Sequence, residues 1–173
     1  TATTEESSAR GRLIAWADGN RRGKQRPGFG AGYNRFIDHS EDGKVAHNSF
    51  VHCYAELGLF GYFFWLALVL ASLKDAYVIG ELKPDDPEEQ EVARLARVSV
   101  AALVGYLAAA FFLSRTYIPH LYILFAMIAA LRSIHARDFE PVPGTFERRH
   151  LKYTLALELL SIPLLYIFLR LAI

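Results

Sequence analysis

Six basic side chains, Arg10, Arg12, Arg21, Arg22, Lys24 and Arg26, fall within seventeen consecutive positions of this sequence. Guanidinium groups hold phosphate oxygens through paired, charge-assisted hydrogen bonds, so a cluster of this density suits anionic headgroups. Among these cations Leu13, Ile14, Trp16 and Ala17 form an apolar face. The pattern predicts a short amphipathic helix, capped by Ser7 or Ser8, lying on a membrane interface. The run Pro27-Gly28-Phe29-Gly30-Ala31-Gly32 then ends it in a flexible turn. No strand precedes these glycines and no dinucleotide-type helix follows, which argues against a nucleotide-binding fingerprint.

A second group lies where the polar head meets the first apolar stretch. His47 and Asn48 stand at the junction, and Asn48, His52 and Glu56 are spaced four apart on one helix face. Ionisable groups at the mouth of a membrane helix are costly to desolvate and commonly face a water-filled cavity or a partner. The plainer alternative is that His52 and Glu56 pair with each other and pack. A metal held by His47, His52 and Glu56 is poorly spaced. Gly58 and Gly61 read as positions of close helix packing. The single cysteine, Cys53, excludes a disulfide framework and any multi-cysteine metal site.

The elements that must position these groups follow from the distribution of charge. Hydrophobic residues make up 53% of the 173 positions, and the charges gather in residues 1–48, 74–97 and 132–152. The stretches between them, 57–73, 98–114 and 116–131, are almost free of charge and close to the minimum for a spanning helix, about 17 residues. A fourth stretch, 153–169, is interrupted by Glu158 and Pro163. A soluble helical bundle would keep a charged face at helical spacing, and the run from Val98 to Ser114 keeps none. The expected fold is all-α: a polytopic membrane protein with residues 1–48 as a polar loop and 49–173 as a helical region. Its spans are expected near 49–73, 96–114, 117–134 and 152–172. Arg115 marks a tight turn between the second and third spans, and Pro119 fits the first turn of the third, where its missing N–H costs little. Residues 83–87 read as a solvated linker and 88–97 as a helical extension of the second span. With four spans, one membrane side collects ten Lys and Arg and the other nine, so the positive-inside rule leaves orientation open. The net charge of +1 gives no ground for a nucleic-acid partner. Because the chain opens at Thr1 on what reads as an interior loop, a fragment or processed product is expected.

Taken in order, Arg10-Gly11-Arg12 with Trp16, Pro27 through Phe36, His47-Asn48-Ser49-Phe50, and Glu56 through Gly61 resemble the O-antigen ligase and O-antigen polymerase family. The likeness covers the head and first span, and the later helices fit that family's carboxy-terminal membrane part. It implies a glycosyltransferase that moves a glycan from undecaprenyl pyrophosphate to an acceptor hydroxyl, of a lipid A core or a growing polysaccharide. It further implies no metal or other cofactor, a bacterial inner-membrane location, residues 1–48 facing the periplasm, and further helices upstream that bring the lipid groove. On this resemblance Arg12, with Arg10, stabilises the departing pyrophosphate, and His47 is the base for the acceptor hydroxyl. Asn48 orients the imidazole or meets the sugar, Arg115 is a second phosphate contact or equally an interfacial anchor, and Glu56 belongs to the substrate-binding set.

Two readings from other classes compete. One is a small non-catalytic membrane subunit whose basic head docks on membrane lipids or a partner protein; it tolerates His47→Ala and Arg12→Lys. The other is a transport fragment built on Glu56 and Glu158, carboxylates inside apolar segments.

Overall fold

The computed structural model describes residues 2–39, 45–139, 141 and 147–172. The chain is all-α, with no strand among the described residues. Helix α1 spans Ala2–Gln25, a short 3-10 turn covers Ile37–His39, and α2 (Ser49–Gly80), α3 (Pro87–Phe112), α4 (Pro119–Asp138) and α5 (Arg148–Ala172) follow. The last four are long and apolar enough to cross a membrane, as expected of a multi-pass membrane protein. Helix α1 is too polar to join them. It begins at Ala2, so Ser7 and Ser8 lie inside it rather than at its cap.

The helices outrun the uncharged stretches because their polar ends are satisfied. Helix α2 continues through Lys74 and Asp75, and the Asp75 carboxylate accepts from Lys74 at 3.3 Å and from Arg132 at 2.7 Å. Asp86 caps α3, its Oδ1 accepting from the Glu88 and Glu89 N–H groups at 2.8 and 3.0 Å. Pro119 opens α4, with Ile118 as its N-cap in extended conformation. Helix α5 carries Pro163 in its interior without ending. Phe60, Phe64, Leu68, Val104, Phe112, Ile123, Leu159 and Leu160 are exposed, the lateral apolar surface that a bilayer covers.

Contacts divide the chain into two compact units. The first comprises Thr1–Trp65, Ala109–Thr116 and Leu155–Ile173. Its core is Trp16, Phe36, Ala46, Val51 and Ala55, against which Leu13, Ala17 and Leu165 pack. The second comprises Leu66–Ala108 and Tyr117–Thr154, with Ile79, Val92 and Ala96 at its centre. There Arg97 donates to the Gly80 carbonyl at 2.8 Å, closing the C-terminal end of α2, and His135 Nε2 meets Glu89 at 2.9 Å.

Candidate functional site

The site is built around a break in α2. Gly58 has φ 65° and ψ −169°, a conformation open essentially to glycine alone, so α2 is two helices in series rather than one. A break inside an apolar helix strips backbone groups of their partners, which lipid cannot replace. The glycine-rich loop replaces them. Ala31 and Gly32 donate their N–H groups to the carbonyls of Ala55 and Glu56 at 3.0 and 2.8 Å. Leu59 and Phe60 donate in return to the carbonyls of Pro27 and Gly28 at 2.7 and 3.1 Å. The turn after α1 is therefore a clamp, not the flexible end its composition implied. Close approach explains the glycines: a Cβ on Gly58 would run into the Gly28 carbonyl, and one on Gly30 into the Glu56 carbonyl. Gly58 thus serves backbone pairing rather than helix–helix packing.

Glu56 completes the clamp. It is 1% exposed, and its Oε2 accepts the Asn34 N–H at 2.9 Å while Oε1 accepts the Phe36 N–H at 2.8 Å. His52 Nε2 stands 3.1 Å from the same Oε1, and the His52 ring meets Phe36 edge-on at 5.5 Å. The spacing-based pairing of His52 with Glu56 is present. Both carboxylate oxygens are engaged in holding residues 34–36, so Glu56 positions the loop. Among the described residues no three His, Cys, Asp or Glu side chains gather as a metal site would require.

Two turns before Glu56, the start of α2 gathers the other predicted groups. Asn48 is the N-cap: its Oδ1 accepts the Phe50 and Val51 N–H groups at 2.9 and 3.1 Å. His47, just before it, is half-buried and holds φ 49°, a left-handed backbone uncommon outside glycine. Ser49 joins this segment to the α3–α4 turn. Its hydroxyl donates to the Leu113 carbonyl and accepts from the Arg115 N–H, both at 2.7 Å, and Thr116 Oγ1 donates to the Ser49 carbonyl at 3.0 Å. Arg115 and His47 are thereby brought to the same end of α2. No local pattern marks Ser49; a buried serine at a helix start reads only as a capping residue.

Arg12 is exposed on α1, one turn before Trp16, whose ring packs in the core beside Ala46 and Val51. No hydrogen bond or ion pair joins Arg12 to His47. Arg10 lies in the same helix, and its side chain is outside the described residues. Beside the His47–Asn48 turn opens an apolar cavity of about 440 Å³. Trp16, Phe50, Tyr62, Phe111 and Phe168 supply its walls and Asn48 a polar edge. Trp16 Nε1 is buried with no hydrogen-bond partner among the described residues.

No family model, no curated protein and no solved structure matches this chain.

Proposed function

We propose that the chain is the carboxy-terminal membrane part of a lipid-linked glycan transferase of the O-antigen ligase kind. It acts in the bacterial inner membrane with residues 1–48 on the periplasmic side. The observation that carries this reading is the assembly around the first half of α2. Two segments far from it in sequence, residues 27–36 and 113–116, are locked onto it by backbone and side-chain hydrogen bonds, the second through Ser49 at its start. They frame a strained histidine next to an apolar cavity. A site for a lipid-linked sugar needs these parts together: a general base, cations for a departing phosphate, and an apolar hollow for the first isoprene units.

In the proposed reaction the acceptor oxygen attacks the anomeric carbon while His47 takes its proton. The bond from that carbon to the pyrophosphate oxygen breaks, and its electron pair leaves on the phosphate. Arg12 and Arg10 receive the developing charge through guanidinium hydrogen bonds, and Arg115 meets the phosphate from the α3–α4 turn. Asn48 fixes the α2 N-terminus and so the direction of the His47 backbone. Glu56 and His52 hold the loop.

The test is transfer of surface polysaccharide in cells carrying the full-length protein with His47→Ala or Arg12→Lys. With membrane levels unchanged, His47→Ala lowers transfer by about 10²- to 10⁴-fold, the usual worth of a general base. Arg12→Lys lowers it as well, because a point charge does not reproduce a two-pronged contact. Normal transfer by both variants would make the chain a lipid-docking subunit instead.

A further inference from the structure

Away from the His47 turn, α1 and α5 enclose a second hollow, of about 620 Å³. Its walls carry Asn20, Arg21, Lys24, Gln25, Tyr166 and Arg170, and no acidic side chain lines it among the described residues. Arg21 is already held by Asp18 at 2.9 Å. Lys24 lies over the Tyr166 ring, 4.0 Å from its centre, and Arg170 stands one helical turn beyond Tyr166. Lys24 and Arg170 are therefore the cations that face an occupant.

The third feature is Asn20. It is 5% exposed, and its Oδ1 has no hydrogen-bond partner among the described residues. A buried amide oxygen without a donor is a costly arrangement unless a ligand supplies one. The occupant thus needs a negative group for Lys24 and Arg170 and a hydroxyl donor for Asn20. Position narrows it further. Arg170 is the basic residue in the last turn of α5, and α1 is not among the helices apolar enough to cross a membrane. Tyr and Arg at such an end sit at headgroup depth. Ile167 and Leu171, sequence neighbours of Tyr166 and Arg170, are exposed apolar surface beside the hollow.

We propose that this hollow binds the headgroup of an anionic phospholipid bearing a free hydroxyl, as phosphatidylglycerol does. The phosphodiester sits between Lys24 and Arg170, and a glycerol hydroxyl donates to Asn20 Oδ1. Nothing in this assignment depends on the transfer reaction. Soluble glycerol phosphate offers the same chemistry, and the exposed apolar run beside the hollow is what favours the lipid.

The experiment is native mass spectrometry of the full-length protein released from nanodiscs of phosphatidylcholine doped with phosphatidylglycerol or phosphatidic acid. The wild type retains phosphatidylglycerol in preference to both other lipids. Each cation near a membrane surface is worth about fivefold, so Lys24→Gln with Arg170→Gln lowers retention about thirtyfold and Arg170→Gln alone about fivefold. Arg170→Lys keeps most of it. Asn20→Leu retains anionic lipid but loses the preference for phosphatidylglycerol over phosphatidic acid. Circular dichroism confirms that each variant keeps its helices. Retention of phosphatidylglycerol unchanged in the double variant overturns the proposal. So does stripping of the lipid by equimolar sn-glycerol 3-phosphate, which would make this a soluble-phosphate site.

Discussion

Glu56 accepts the Asn34 and Phe36 N–H groups at 2.9 and 2.8 Å and lies 3.1 Å from His52 Nε2. Its distance from His52 in the sequence foretold the pair, because residues four apart share a helix face. Its two backbone donors, Asn34 and Phe36, lie about twenty positions upstream, and no local pattern points to them. In Glu56→Gln one oxygen becomes an amide nitrogen and faces a backbone N–H, leaving a buried donor unmet. The expected cost is about 1–3 kcal/mol, read as lowered thermal stability in detergent and faster proteolysis within residues 27–36. A ligand-binding Glu56 would instead leave stability intact and weaken substrate capture alone. His47 differs in kind. Its residue type was readable as a candidate base, whereas its left-handed backbone became visible only in the fold.

At the scale of elements, the spans were readable because charge blocks and apolar runs alternate, and the break within α2 was not. Gly58 sits in a continuous apolar stretch, where a glycine reads as a packing notch. The benefit of breaking the helix comes from Pro27, Gly28, Ala31 and Gly32, and periodicity does not register pairing over that separation. Gly58→Ala therefore meets two obstacles, a positive φ and the Gly28 carbonyl. It should destabilise the protein by at least about 2 kcal/mol. Gly105, in α3, is the control: a Cβ there meets nothing within 4 Å. Gly105→Ala is expected to be neutral or to stabilise by up to about 1 kcal/mol. Equal losses for both substitutions, measured by unfolding in detergent, would remove the clamp from the account.

For the molecule as a whole, the count of basic residues left the orientation balanced, and the proposed reaction selects one answer. Arg115→Cys then reacts with a membrane-impermeant maleimide from the periplasmic face, and Asp85→Cys only after the inner membrane is opened. Cys53 is fully buried and does not interfere. The reverse pattern would put the head in the cytoplasm and end the proposed assignment of His47. The break at Gly58 also bears on how the protein is assembled. Alone in lipid, residues 49–80 would do best as one unbroken helix, because bending exposes peptide groups that have no other partner. The bend must therefore be imposed from outside α2, by arrival of the preceding loop. Whether α2 is straight or bent then reports whether the head has docked.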